Sequence, residues 1–332
     1  MQLSVEDKIL LGLFLCSSGA NEVIAALKPD FNDKIELTLK EKLLMINSGF
    51  LINEIFPWQK ELSIGIEHEK FCESFLIQPD LFLRLRPGKA NIVKNKLRAA
   101  GIDFNEISRS AISLANASKL DDIIDLDNEA VVQDYSSQLT GECIKNEFSN
   151  FDSKISVWDC CAASGGKSIM AYDINPDIQL TVSDIRESIL ANLEKRFLNA
   201  GIKNYNSLLI NLALKDIQHQ ILKSQQEIII ADVPCTGSGT WSRTPEQLHY
   251  FKEEKILEYA TLQKRILSNI VPYLLPGGSL IYITCSVFKK ENEEVAEYVS
   301  TNFSLRVIKQ QIIMGYEKKA DSMFVAILKK DL

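Results

Sequence analysis

From about residue 151 to residue 332 the chain alternates between short apolar runs and helix-patterned stretches, and no other feature limits the fold as much. Ile155–Asp159 is an apolar strand pattern ending in an acid, and Gly166 to Asp173 follows as helix. Ile178–Asp184 predicts a second strand, and Arg186 to Ala200 a helix stopped by Gly201. Ser207–Ile210 is a third strand, and Glu227–Val233, with its Ile228-Ile229-Ile230-Ala231 run, a fourth. A long helix is predicted from Pro245 toward Leu275. Pro276-Gly277-Gly278 then turns the chain into a fifth strand, Ser279–Cys285. A helix through Glu294 and Val299 precedes two last strands, Phe303–Ile308 and Met323–Leu328. Strand–helix alternation of this kind builds a doubly wound α/β sheet, mostly parallel, with helices on both faces. Its ligands sit beyond the carboxyl ends of the strands, so the informative residues are those just after each strand.

The remainder divides in two. Residues 1–75 read as a helical segment, with apolar residues at helical spacing (Ile9, Leu10, Leu13, Phe14, then Leu37, Leu39, Leu43, Leu44, Ile46) and Pro29 and Pro57 as punctuation. Ile9–Cys16 resembles a signal-peptide core, but Glu6 and Asp7 precede it where positive charge is wanted. Ser4 with Asp7 reads instead as the cap of a buried amphipathic helix. Residues 76–150 read as a small α+β domain: Leu81-Phe82-Leu83-Arg84-Leu85-Arg86 alternates like a strand, and Asn91 to Ala100 is a helix stopped by Gly101. Residues 151–332 form the third part.

Charge and cysteine content narrow the function classes. With 37 basic and 44 acidic residues among 332, the formal charge is −7, which excludes nucleic-acid binding by overall charge but not by a local surface. One such surface suggests itself: Arg84, Arg86, Lys89, Lys94, Lys96 and Arg98 fall in a stretch without an acid, and are read as phosphate contacts. The seven cysteines are odd in number and include no Cys-x-x-Cys, which points to a reducing, cytoplasmic compartment. Only three histidines occur, His68, His219 and His249, far apart, so no metal is expected. No run reaches the roughly 18 apolar residues of a membrane span.

At the end of the first strand stands Asp159-Cys160-Cys161-Ala162-Ala163-Ser164-Gly165-Gly166-Lys167-Ser168. Small residues and paired glycines let a backbone approach a ligand, and the next helix offers free N–H groups. A dinucleotide loop would need Gly-x-Gly-x-x-Gly, which is absent. A phosphate-binding loop would need glycine where Cys161 stands. A sulfonium nucleoside cofactor, without phosphate, is the third candidate. Asp184 ends the second strand, placed to bind a ribose or to cap the following helix. The fourth strand ends in Asp232-Val233-Pro234-Cys235-Thr236-Gly237-Ser238-Gly239 and the fifth in Thr284-Cys285-Ser286. Consecutive parallel strands are often neighbours, which would bring Cys235 and Cys285 to one site.

These motifs resemble the Sun/Fmu family of RNA cytosine-5 methyltransferases: Asp159-x-Cys161-Ala162-Ala163-x-Gly165-Gly166-Lys167-Ser168, Asp232-Val233-Pro234-Cys235-Thr236-Gly237-Ser238-Gly239 and Tyr282-x-Thr284-Cys285-Ser286 with Glu291-Asn292-Glu293. Val132-Gln133-Asp134-x-x-Ser137, Arg243-x-Pro245, Leu262-Gln263 and Pro276-Gly277-Gly278 fit too, so the resemblance spans roughly residues 79 to 330. It implies a Rossmann-like S-adenosylmethionine-dependent methyltransferase domain with a seven-stranded sheet, preceded by the helical segment and an RNA-binding α+β domain. It further implies that Cys161, Ala162, Ala163, Ser164, Gly165, Gly166 and Lys167 hold the cofactor's methionine end. Asp184 would bind its ribose, and Asp232 would lie beside cofactor and target base. By the same resemblance Cys285 is the nucleophile at C6 of cytosine and Cys235 assists release. Arg243 joins the RNA contacts.

Two positions depart from the family pattern. Ser164 stands where the family usually has proline. Where the family often has an acid near the adenine, Asn211 is nearest here and Asp216 next. Against this reading stand a phosphate-loop nucleotide hydrolase, opposed by Cys161, and a catalytically silent RNA-binding protein, opposed by the presence of both cysteines and Asp232. A DNA cytosine methyltransferase would use the Pro-Cys cysteine as nucleophile, whereas Thr-Cys-Ser favours the RNA type. The expected partner is RNA, ribosomal RNA first, with no membrane and with the chain a monomer.

Overall fold

The computed structural model describes residues 4–46, 51–151, 154–215 and 222–332. Asp216 and His219 lie outside the described residues. Near its start, α1 (Val5–Cys16) opens at Ser4, whose hydroxyl accepts the Asp7 amide at 3.0 Å. Helices α2 (Glu22–Leu27), α3 (Pro29–Asn32) and α4 (Leu39–Ile46) follow, and Phe14, Ile24 and Ile35 form their small shared core. Residues 52–75, which include α5 (His68–Ser74), belong elsewhere in space. Phe56, Phe71 and Cys72 pack into an aromatic cluster with Trp241, Val287 and Phe288, from the loops that follow the later strands.

Next come β1 (Leu81–Leu85), α6 (Ala90–Ala99), β2 (Phe104–Glu106), β3 (Ala111–Leu114) and β4 (Ala130–Val132). The strands pair antiparallel in the order β2-β3-β1-β4. Val93 and Leu97, one turn apart on α6, pack against Leu83, Leu85 and Ile112. Helix α7 (Tyr135–Phe148) leads into the large sheet.

That sheet follows the predicted alternation: β5 (Ser156–Asp159), α8 (Gly166–Ile174), β6 (Gln179–Asp184), α9 (Glu187–Ala200), β7 (Tyr205–Leu209) and β8 (Gln226–Asp232). Then come α10 (Glu246–Tyr250), α11 (Glu254–Ile270), β9 (Leu274–Thr284), α12 (Glu293–Phe303), β10 (Leu305–Ile313) and β11 (Met323–Lys330). Among the described residues the order is β10-β11-β9-β8-β5-β6-β7, with β9 through β7 parallel and β11 antiparallel to both its neighbours, β9 and β10. Both faces are covered, and the alternation within β8 shows it. Ile228 and Ile230 meet Ile169 of α8 and Phe197 of α9, while Ile229 and Ala231 meet Leu267 of α11 and Val295 of α12. Among the described residues no helix is long and apolar enough to cross a membrane.

The structure corrects two expectations here. The single helix expected from Pro245 breaks between α10 and α11, where Phe251 is extended. Its ring is drawn into the aromatic cluster, 4.6 Å from Trp241 and 4.8 Å from Trp58 by ring centroids. Packing of one aromatic side chain overrides local helix preference. Arg84 and Arg86 do not face RNA. Both are buried and converge on Asp173 of α8, Arg84 Nη1 donating to its Oδ2 at 2.5 Å and Arg86 Nη2 to its Oδ1 at 2.7 Å. Arg84 also donates to Gln133, and Arg86 to the carbonyls of Asp127 and Ala200. They fasten the small sheet to the large one.

Candidate active site

Strand order reverses between β5 and β8, the point at which a doubly wound sheet opens a crevice at its carboxyl edge. A cavity of about 540 Å³ lies there. Its apolar wall is Ile185, Ile210, Leu212, Leu262 and Ile266, and its polar groups include Asp184, Asn211 and Asp232. Cys161, Ala163, Cys235 and Cys285 complete much of the lining.

The two cysteines arrive on neighbouring strands. Asp232 at the end of β8 pairs in register with Ile283 of β9, so both chains leave the sheet side by side. Cys235 Sγ and Cys285 Sγ come within 3.3 Å. The Cys285 sulfur, then burial, push the Cys235 thiol well above its usual range. Gly239 lets the two loops' backbones and that of Ser322 pack against one another. Its amide donates to the Cys285 carbonyl at 2.9 Å and its carbonyl accepts the Ser322 amide at 2.8 Å. A Cβ there would lie 2.0 Å from the Ser322 carbonyl oxygen.

Asp232 faces the cavity and accepts from Lys167 Nζ at 2.9 Å, while Lys167 also donates to Ser137 at 2.8 Å. Ser137 in turn accepts from Gln133, so the Gln133-Asp134-x-x-Ser137 motif serves to position this lysine. Asp184 lines the cavity and accepts from the Ala163 amide at 3.2 Å and from the Arg186 amide and side chain. Burial raises the Asp184 carboxyl, and the Arg186 hydrogen bonds outweigh it, leaving the group below its usual range. The capping reading of Asp184 is not met: the N-cap of α9 is Arg186, and Asp184 accepts the amide of that residue in a turn ahead of the helix while facing the cavity. Asn211 lines the far end, its side-chain oxygen accepting the Ala213 amide.

The structure does not bring the whole predicted loop to the cavity lining. Ala162 is buried beneath it. Ser164 turns to Arg196, which donates to its carbonyl and hydroxyl, each at 2.9 Å. Gly165 adopts φ +87° and backs onto Phe197 and Leu193, where a Cβ would lie 2.7 Å from the Phe197 ring. Gly166 begins α8, and Lys167 is spent on Asp232 and Ser137. The basic stretch is likewise neutralised from outside its own segment: Lys94 pairs with Glu106 and Lys96 with Glu129, each at 2.7 Å. Lys89 is half-buried, and Arg98 is exposed, 3.9 Å from Glu106 and over the Phe104 ring. Arg243 is held by Asp321 at 2.7 Å and Asp134 at 2.9 Å, and donates to the Asp80 carbonyl. Among the described residues no group of three or more His, Cys, Asp or Glu side chains forms a metal site.

A family model described as 16S rRNA methyltransferase RsmB/F matches residues 149–329, more than half of the chain. The chain belongs to the RsmB/F methyltransferase family. The match takes in the strands from β5 onward, with both cysteine motifs and the loop after β5, and agrees with the Sun/Fmu resemblance read from the sequence. Ribosomal RNA small subunit methyltransferase B of Proteus mirabilis is 29% identical over 205 residues, covering 60% of this chain and 46% of that protein. Its counterpart from Photorhabdus laumondii is 32% identical over 203 residues, 59% of this chain and 44% of that one. The chain thus spans about half the length of the curated relatives it matches. The crystal structure of NSun6 from Pyrococcus horikoshii with SFG shares the fold, with TM-score 0.70 and 13% identity over 84% of this chain and 97% of that one.

Glu291, Gln263 and Ser137 stand inside the motifs that resemble the Sun/Fmu family, which by themselves assign them no role. In the structure Ser137 holds Lys167, while Glu291 and Gln263 lie behind the cysteines. The available signal was position: Glu291 follows Cys285 by six residues, past the end of β9, in a segment otherwise bound for the interior.

Proposed function

We propose that this chain methylates C5 of cytosine in RNA, ribosomal RNA first, with S-adenosylmethionine as methyl donor and Cys285 as nucleophile. The observation that carries the reading is the pair of sulfurs 3.3 Å apart, from adjacent strands, at the end of a nucleoside-sized cavity. The parts of the chain then divide the work: 151–332 catalytic, 76–150 toward RNA and residues 52–75 bracing the loops after the later strands, in a cytoplasmic protein acting as a monomer.

The cavity suits this cofactor better than a nucleotide. Its apolar wall fits a flat base, and Asp184 offers a carboxylate for ribose hydroxyls. Asp184 and Asp232 line the cavity as hydrogen-bond acceptors, each already paired with a cation, Arg186 and Lys167. The lysine a phosphate loop would aim at phosphate is already bound to Asp232. Cys161, Ala163, Asp184 and Asn211 would hold the cofactor. When bound, it supplies an electrophilic methyl group to a carbon that the protein has made electron-rich.

The protein's task is to make C5 electron-rich. Cytosine C5 is a poor nucleophile until a thiolate adds at C6 and moves the C5–C6 π pair onto C5. The motif around Cys285 makes it the attacking sulfur, and the contact between the sulfurs keeps Cys235 beside it throughout the reaction. Asp232, held by Lys167, stands where it can hydrogen-bond the N3/N4 edge of the base and steady the adduct. Release requires loss of the C5 proton to solvent while the Cys285–C6 pair returns to sulfur. Cys235 is the group that meets the departing sulfur. A base reaching this pocket must leave its stack.

The test supplies labelled S-adenosylmethionine and total RNA from a strain lacking the protein, then maps modified cytosines. Cys285→Ala should abolish transfer, and Cys235→Ala should accumulate a covalent protein–RNA adduct on denaturing gels. No transfer by the wild type, or full activity in Cys285→Ala, overturns the assignment.

A further inference from the structure

Behind the two sulfurs lies a carboxylate that the catalytic reading does not use. Glu291 is fully buried, and among the described residues no cation pairs with it. Four hydrogen bonds converge on it instead. The Thr236 amide donates at 2.9 Å and the Thr236 hydroxyl at 2.6 Å. The Ser286 hydroxyl donates at 2.6 Å, and the side-chain amide of Gln263 at 3.0 Å. Thr236 directly follows Cys235, and Ser286 directly follows Cys285. Gln263, on α11, also donates to the carbonyl of Pro234, the residue before Cys235.

Burying a charge without a counter-ion is costly and is tolerated only where hydrogen bonds replace the lost water. Burial pushes the Glu291 carboxyl up, and the bonds from Ser286 and Thr236 work against that push. The donors do not come from one local turn. They come from the two loops that must be kept in register, plus the helix that flanks one of them. Ser238 adds a cross-brace, its hydroxyl 3.1 Å from that of Ser286 and accepting the Val287 amide at 2.9 Å.

We propose that Glu291 is a positioning residue: its carboxylate ties the loop carrying Cys235 to the loop carrying Cys285 and holds the two sulfurs in contact. The inference rests on reading these cysteines as the catalytic pair. Its consequence is measurable without any methyl transfer. A misplacement of about 1 Å at a reacting group costs on the order of 100-fold, so loosening the tether should weaken any reaction that needs both sulfurs together.

The full chain is equilibrated in a glutathione redox buffer. The two thiols and one glutathione disulfide exchange to give the Cys235–Cys285 disulfide and two reduced glutathiones. Mapping the linked peptides by mass spectrometry gives the effective concentration of one thiol at the other. Glu291→Gln should lower it by about 10- to 100-fold, with circular dichroism unchanged, and should lower kcat while leaving cofactor affinity as in the wild type. Should Glu291→Gln fail to fold, Thr236→Val and Ser286→Ala each untie one loop and should shift the same quantity in the same direction. An unchanged effective concentration in folded Glu291→Gln, or in both loop variants, overturns the proposal. A wild-type chain that closes this disulfide but transfers no methyl group overturns the proposed function and leaves the tether standing.

Discussion

Asp159 ends β5 beneath the cavity, wholly buried, and its ionisation should govern stability near neutral pH. One oxygen accepts the Ser168 hydroxyl at 2.7 Å, and the other has no hydrogen-bond partner. Burial pushes the carboxyl from 3.8 up to about 7. The Ser168 bond pulls it down, Asp232 pushes it up, and Lys167 pulls it down again. Between those two values the folded chain keeps a proton that the unfolded chain has released, so raising the pH favours unfolding. The stability carried by protonated Asp159 is complete below 3.8 and is lost as the pH rises through 7. At about 1.4 kcal/mol per pH unit, the full loss is about 4 kcal/mol, of which about 3 kcal/mol falls between pH 5 and pH 8.

Asp159→Asn removes the ionisation while keeping an oxygen to accept from Ser168. Urea denaturation of wild type and variant at pH 5 and pH 8 isolates the effect, because every other titrating group is common to both chains. The variant's stability relative to wild type should rise by about 3 kcal/mol from pH 5 to pH 8. A relative stability that is the same at both pH values, within about 0.5 kcal/mol, would refute the reasoning.

Asp173→Ala leaves two buried guanidinium groups without their shared carboxylate and should cost about 3–5 kcal/mol in urea denaturation, whereas a loss below about 1 kcal/mol would mean that Arg84 and Arg86 are not held as described. Gly239→Ala would force a Cβ against the Ser322 carbonyl and should cost at least about 1–3 kcal/mol. It should also slow alkylation-sensitive closure of the Cys235–Cys285 pair, and a wild-type melting curve with unaltered thiol chemistry would refute the close approach.

What the sequence disclosed, and what it hid, divides along physical lines. Periodicity in the last 180 or so residues is dictated by burial on two sheet faces, so strands such as Ile228–Ala231 stand out by composition alone. The meeting of Cys235 and Cys285 could be anticipated because parallel neighbours end at one edge. The basic stretch misled for the opposite reason. Counting charges along the chain finds no acid between Arg84 and Arg98, yet Asp173, Glu106 and Glu129 arrive from elsewhere and occupy most of these cations. The break at Phe251 is also long-range, made by Trp58 and Trp241, whose positions no local pattern reports. For the same reason helical spacing groups residues 52–75 with the preceding helices, although Phe56 and Phe71 pack beside Trp241 and Phe288, in the loops after Cys235 and Cys285.

The Gly165-Gly166-Lys167-Ser168 run shows how identical residue types take different chemistry from their surroundings. In a phosphate loop the lysine would reach for phosphate and the hydroxyl for a metal ion. Here the lysine reaches Asp232 at the end of β8, and the hydroxyl reaches Asp159 at the end of β5. The two strands are neighbours, so the first turn of α8 serves both acids at the crevice. One acid is paired by charge and kept at the cavity wall, while the other is kept inside by a single hydroxyl and driven toward its neutral form by burial. Replacing Cys161 by glycine would complete the phosphate-loop pattern in sequence but would not free Lys167, because Asp232, which holds it, lies on the sheet. The distinction between the two chemistries therefore rests on Asp159 and Asp232, outside the glycine-rich run.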